Sequence, residues 1–293
     1  MSQPRPSLAA SYAFCRQAVR QARSSFTPCF WLLSRPKHEA MEALYAFMRH
    51  TDDLADSPRP AAERREALRQ WRAALDAALA GSAAAPKDLA GLPLLPALAD
   101  AVQRFGIPKE HLHAVIDGVE MDLDRRFYET FDDLTEYCHR VASAVGLACI
   151  YVWGFRSDEA FRPADQCGVA FQLTNILRDL KEDTQQGRVY LPLEDLRVCG
   201  YSADDLAQGV ADERFDRLMA LEADRAERLY REGAELARYL EPDGRRILGM
   251  MMEVYHRLLG EIRRRPHDVL ARRIRLSRWQ KVAIAIRWTL WPP

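Results

Sequence analysis

Apolar residues recur at three- and four-residue steps along most of this 293-residue chain, and the alternation that marks strands is almost absent. The pattern predicts helices over residues 40–54, 112–123, 134–155, 169–180, 215–240 and 247–262. Helix breakers fall between them: Pro58-Arg59-Pro60, the Ala/Gly/Pro-rich stretch 81–96, Gly106-Ile107-Pro108, Arg162-Pro163 and Glu241-Pro242-Asp243-Gly244. None of these is long or polar enough to be a domain linker. The expected architecture is one all-α domain over residues 1–293.

Two helical stretches carry acids where the apolar pattern runs. Asp52-Asp53-Leu54-Ala55-Asp56 follows the run Leu44-Tyr45-Ala46-Phe47-Met48, and Asp179-Leu180-Lys181-Glu182-Asp183 follows Ile176-Leu177. In each, two aspartates stand four residues apart and so share a helix face. Like charges packed beside core residues call for a cation, and carboxylates prefer hard cations such as Mg²⁺, which commonly carry substrate phosphates. Arg49 lies three residues before Asp52, on the same face, where its guanidinium can fork onto a phosphate. A solvated face with Arg49 simply paired to Asp53 is the bland alternative. The second cluster weakens it, because Gln172, Asn175, Asp179 and Asp183 form one polar stripe on a helix otherwise filled by Val169, Phe171, Leu173, Ile176, Leu177 and Leu180. Amides there can bind metal-held water or a phosphate oxygen. Gly187-Arg188-Val189-Tyr190-Leu191-Pro192 then presents an arginine and a tyrosine near the helix end.

Two acidic stripes on facing helices of a bundle would flank a central cavity. Metal there would stabilise diphosphate as a leaving group, and the carbocation left behind needs a dry, aromatic surround. Phe26, Phe30, Trp31, Tyr45, Phe47, Tyr137, Tyr151, Trp153 and Phe171 are candidates for that lining, though each alone reads more simply as core. Other chemistries find little support. There is no G-x-G-x-x-G, no phosphate loop and no H-E-x-x-H, and the histidines read as structural or surface residues.

Charge changes the picture only locally. Lys plus Arg equals Asp plus Glu at 42 each, which gives no reason to expect nucleic acid. The six cysteines show no metal or disulfide spacing and read as reduced, buried thiols. With neither a signal-like start nor an apolar run of membrane-spanning length, a cytoplasmic protein is expected. From Arg263 onward, however, arginines and lysine face a single acid, Asp268. Over residues 272–291 they alternate with Ile274, Leu276, Trp279, Val282, Ile284, Ile286, Trp288 and Trp291. This is the pattern of a helix on an anionic membrane or of one packed onto the bundle, and the sequence leaves both open.

The strings Tyr45 through Asp56, Tyr137 through Gly146, and Gln172 through Pro192 together resemble the squalene/phytoene synthase family of head-to-head prenyl diphosphate synthases, in its order and spacing. The likeness runs from about Ser11 to Lys281. The resemblance implies an isoprenoid-synthase helical bundle with a central active-site cavity and Mg²⁺-bound diphosphates at its mouth. It implies metal on Asp52, Asp53 and Asp56 for one diphosphate and on Asp179 and Asp183 for the other, with Asn175 and Gln172 assisting. Arg49 is implied as a diphosphate ligand, Tyr137 and Tyr255 at the reaction centre, and Arg273 and Lys281 as phosphate contacts. Ser25 and Phe26 resemble the family's Ser-Phe, although Ser24 stands where a basic residue is usual. The implied partners are allylic prenyl diphosphates.

The reaction expected from the resemblance joins two farnesyl diphosphates into presqualene diphosphate, and carries on to squalene where NADPH supplies hydride. Asp-Asp-Leu-Ala-Asp and Val-Ala-Ser-Ala-Val-Gly favour that branch. The alternatives are phytoene synthesis from two geranylgeranyl diphosphates, a family-like binding protein without catalysis, and an unrelated all-α metal hydrolase. Intact aspartates argue against the binding protein, and the absence of histidine from the second stripe argues against the hydrolase.

Overall fold

The computed structural model describes residues 6–22, 27–82, 92–124 and 127–290. Among them there is no strand, only isolated bridges pairing Phe127 with Val189 and Phe155 with Leu240. The helices are α1 (Leu8–Ala22), α2 (Arg35–Ala55), α3 (Ala61–Leu79), α4 (Leu95–Phe105), α5 (Lys109–Met121), α6 (Phe131–Cys138), α7 (Ala144–Trp153), α8 (Phe161–Gln185), α9 (Leu193–Val198), α10 (Ala203–Gln208), α11 (Glu213–Ala234), α12 (Pro242–Arg264), α13 (Asp268–Ala271) and α14 (Arg278–Leu290). A 3₁₀ turn, Thr27–Leu32, precedes α2. The all-α expectation holds: the stretches 40–54, 169–180 and 247–262 lie within helices, while 112–123, 134–155 and 215–240 each run two residues past the helical end. Stretch 134–155 is not one helix, because a π-helical turn, His139–Ser143, separates α6 from α7.

That π turn lies beside close-packed neighbours. A Cβ on Gly168 of α8 would come within 2.5 Å of the Ser143 backbone, so only glycine lets α8 lie this close. Ser143 Oγ then donates to the Asp165 carbonyl at 2.9 Å. The extra residue of a π turn rotates the side chains beyond it, and Val141, Ala142, Val145, Gly146, Cys149, Ile150 and Trp153 consequently form a cavity-facing seam.

Helix α8 is packed by α7, α11, α12 and α13, which explains why its apolar residues are not confined to one side. Leu173, Leu177 and Leu180 are buried in the core while Gln172 and Asn175 face the cavity. Helix α2 is held from behind: Thr51 Oγ1 donates to the Phe47 carbonyl and accepts from Trp71 Nε1 of α3, each at 2.9 Å. Trp71 is fully buried. All six cysteines are buried and unpaired, as their spacing implied.

At the base of the bundle the Lys37 ammonium donates to the Trp153 carbonyl at 2.7 Å and to Asp243 at 3.1 Å. One side chain thereby ties the starts of α2 and α12 to the end of α7. No helix among the described residues is long and apolar enough to cross a membrane.

Candidate active site

Helices α2, α5, α7, α8 and α12 enclose a cavity of about 480 Å³. Its walls are apolar along most of their length, with Met41, Val115, Val145, Ile150 and Met251 among them. Of the aromatic candidates, Phe30, Tyr45, Tyr137, Trp153 and Phe171 line it. Three others among the described residues do not: Trp31 is exposed, Phe47 stacks on Trp71, and Tyr151 packs against Phe155 and Phe161.

Polar groups gather at one end. Asp52 and Asp56, four apart on α2, line the cavity with Arg49, and Gln172, Asn175 and Arg188 line it too. Asp53, one residue round the helix from Asp52, does not reach the cavity. It is half exposed and pairs with Arg49 at 2.6 Å, because one residue of helix phase turns it away from the cavity that Asp52 lines. Arg49 thus does what the bland reading proposed while still flanking the cavity.

Asp122 is central to this end, and sequence reasoning missed it. It follows α5 and lines the cavity. Its two carboxylate oxygens accept from the Tyr137 and Tyr190 hydroxyls, each at 2.9 Å. Tyr128, Tyr137 and Tyr190 form an aromatic stack with ring centroids 5.2–5.8 Å apart. Burial raises the Asp122 pKa against the opposing pull of Arg188 and of the tyrosine hydrogen bonds. The same carboxylate adds repulsion to both Asp52 and Asp183, so it lies between the two acidic stripes.

The electrostatics are those of an anionic end with too little positive charge. Asp52 opens onto the cavity yet is walled by protein, and that desolvation, with Asp56 beside it, pushes its carboxyl up to about 7. Burial and then Asp179 do the same to Asp183, also to about 7. Tyr137 and Tyr190 are pushed up as well, first by burial and next by Asp122, so both hydroxyls keep their protons.

The second stripe is more heavily paired. Asp179 is gripped by Arg178 from its own helix and by Arg273, whose Nε and Nη2 lie 2.8 and 2.9 Å from its oxygens. Arg178 is a second site residue that the spacing argument passed over. Asn175 reaches Gln172 at 3.4 Å and bonds the Tyr255 hydroxyl, while its Oδ1 is buried with no partner. Lys281 lies near Arg178 and Arg275, and its pKa is lowered, mainly by burial. Ser25 and Phe26 fall outside the described residues.

These residues fit divalent cations in a particular way. Asp52, Asp56, Asp122 and Asp183 supply hard oxygen donors with excess negative charge, and the Asn175 oxygen lacks a partner. Among the described residues no three His, Cys, Asp or Glu side chains converge tightly enough to cage an ion alone. Mg²⁺ needs no such cage, since it usually takes one or two carboxylates, keeps waters and fills the remaining positions with substrate phosphate.

The chain is similar to known proteins over most of its length. The model of the family "Squalene/phytoene synthase" matches residues 19–280. A phytoene synthase of Arthrospira platensis is 35% identical over 285 residues, 93% of this chain and 90% of that protein. A 15-cis-phytoene synthase of Synechocystis is 36% identical over 284 residues, covering 93% and 82%. Among solved structures, squalene synthase HpnC of Alicyclobacillus acidocaldarius superposes with a TM-score of 0.81 at 30% identity, over 88% of this chain and 94% of that one. A dehydrosqualene synthase in complex with ligand gives 0.84 at 30% identity over 96% of each.

Proposed function

This chain belongs to the squalene/phytoene synthase family and is a prenyltransferase of the head-to-head type; from that premise we propose that it condenses two geranylgeranyl diphosphates toward phytoene. The farnesyl preference drawn from Asp52–Asp56 and Val141–Gly146 gives way because the curated relatives, at 35–36% identity over nearly the whole chain, are named phytoene synthases. Two short strings weigh less than likeness along nearly the full length. The farnesyl reading stays second, supported by the squalene and dehydrosqualene synthases at 30% identity.

The observation that carries the reading is a long apolar cavity whose acids are confined to one end. Asp52, Asp56 and Asp122 on one side and Asp183 with Asn175 on the other would hold Mg²⁺. Once bound, the metal would neutralise diphosphate oxygens and stabilise diphosphate as a leaving group. Arg49 and Arg188 add guanidinium contacts to the same phosphates. In the reaction the C–O bond of one allylic diphosphate breaks, and the electron pair leaves with the diphosphate. The double bond of the second molecule adds to the allylic cation, and loss of a proton closes a cyclopropane. Ring faces of Phe171, Tyr45 and Tyr255 border the space where the cation forms, and the apolar walls keep water from capturing it. Tyr137, neutral and hydrogen-bonded to Asp122, is held with its ring at the cavity edge. As proposed, the second diphosphate then leaves with its bonding pair, the cyclopropylcarbinyl cation rearranges, and the route to phytoene ends in loss of a second proton and consumes no hydride.

Product analysis by mass spectrometry, after incubation with Mg²⁺ and either C20 or C15 allylic diphosphate, tests this. A C40 hydrocarbon supports the reading, a C30 product moves the assignment to the farnesyl branch, and no turnover of either revives a binding role.

Substrate length should depend on Trp153. It lines the cavity, and its carbonyl is held by Lys37, which stands about 22 Å from Asp52 along α2. Trp153→Leu should raise kcat/KM for a chain one isoprene unit longer, relative to the native substrate, by about tenfold or more. Competition assays with C15, C20 and C25 diphosphates would read this. An unchanged ratio would remove Trp153 from length selection.

A further inference from the structure

The C-terminal helix packs onto the bundle, one of the two readings of the tail, and leaves a second apolar face uncovered among the described residues. Ile284 is fully buried against the bundle, and Trp288 lies over α12 at Gly249, where any Cβ would come within 2.0 Å of the indole. The Trp288 Nε1–H donates to Glu253 at 2.7 Å. This packing uses one face of α14. Trp279, Val282, Ile286 and Leu290 recur at three- and four-residue steps on the opposite face, and all four are exposed, Trp279 to 82%. Nothing among the described residues covers them.

Three further features say what does. Arg278 precedes Trp279 and Arg287 follows Ile286, so each is turned about 100° from the apolar stripe and they lie on opposite sides of it, Arg287 being paired with Glu253 of α12 at 3.3 Å. Arg275, just ahead of α14, is exposed as well. Next, α14 packs beside the 3₁₀ turn Thr27–Leu32, whose Trp31 is 53% exposed. Two exposed tryptophans on adjoining elements, with cations around them, match the chemistry of a membrane interface, where indoles settle at headgroup level. Lastly, the turn has two sides: Phe30 lines the catalytic cavity while its neighbour Trp31 faces out. One short element therefore separates the hydrocarbon-binding space from the apolar patch.

We propose that the outward face of α14, together with Trp31, docks this protein on an anionic lipid bilayer. The docked bundle lies on the surface with the stripe in the interfacial layer, and the wall of the cavity at Phe30 sits next to lipid. The inference does not depend on which allylic chain the enzyme uses.

Sedimentation of the full chain with phosphatidylcholine vesicles, with or without phosphatidylglycerol, tests it, alongside Trp fluorescence. Binding should require the anionic lipid, weaken with salt, and shift tryptophan emission to the blue. Trp279→Ser with Ile286→Ser should abolish it. Arg278→Gln should weaken it about fivefold. Because these side chains are exposed, the thermal midpoint and turnover of detergent-dispersed substrate should stay unchanged. Equal binding to neutral and anionic vesicles, or retention of binding by the serine variant, would overturn the proposal. So would sedimentation equilibrium showing that the serine variant instead splits a dimer, since the stripe would then be covered by a second copy.

Discussion

Asp52→Asn is expected to lower kcat by about 10²–10³-fold while raising the thermal midpoint of the metal-free protein. The two effects have one cause. Asp52 is exposed where it lines the cavity, but Asp56, Asp53 and Asp122 crowd it with Arg49 as the opposing charge, so its carboxylate costs the empty fold whatever repulsion solvent does not screen. Asparagine keeps the shape and removes the charge. The same charge is what a diphosphate–metal complex would require, and the stability lost in the empty protein is the electrostatic attraction available to that complex. Differential scanning fluorimetry with and without Mg²⁺ plus inorganic diphosphate separates the roles. The wild-type midpoint should rise as ligand is added, as binding to the folded state demands. The variant should start higher and respond little. A variant that starts lower would mean that Asp52 is part of the structural framework, and an undiminished response would remove it from the metal site.

The aspartate stripes were legible in the sequence because four-residue spacing on a helix fixes a shared face without any tertiary information. What spacing could not fix was rotation of the helix against its neighbours. Asp53 and Asp52 look equivalent in the string, yet one turns to solvent and the other to the cavity. Asp122 was invisible for a related reason: Asp122-Leu123-Asp124 at a helix end reads as an ordinary polar exit. Only the approach of Tyr137 and Tyr190 from distant parts of the chain gives it significance. Arg178 looks like surface charge beside Asp179 until the tail brings Arg273 to the same carboxylate. The run 134–155 contains no residue that announces a π turn, because its neighbour is Gly168, a turn of helix away in another element. Substrate length is hidden most deeply. It depends on which side chain closes the cavity, and Trp153 in sequence is one apolar residue among many.

Arg225→Met should destabilise the fold more than any cavity substitution discussed above, by about 3–5 kcal/mol. Arg225 of α11 donates to Asp195 at 2.7 and 3.2 Å and to both oxygens of Glu222 at 3.0 Å, and it lies over the Phe131 ring at 3.9 Å. Glu222 is fully buried and Asp195 nearly so. Methionine would leave the Asp195 carboxylate buried beside Glu222 without a cation. Pairing alone does not make the wild-type cluster favourable, since one guanidinium serves two acids. Burial and Asp195 raise the Glu222 pKa above its ordinary value, against the pull of Arg225. The folded state therefore holds a proton that the unfolded chain releases. This gives a definite sign: the contribution of Glu222 to stability is fullest below the usual glutamate range and falls as pH rises toward its raised folded value. Glu222→Gln mimics the protonated side chain and should flatten that fall, leaving the variant as stable as wild type at low pH and more stable at alkaline pH. Chemical denaturation across pH 5–9, an interval that brackets about the expected range, would check it. A Gln variant less stable than wild type at alkaline pH would mean that the ionised Glu222–Arg225 pair stabilises this junction of α9 and α11, and that the repulsion from Asp195 is the smaller effect.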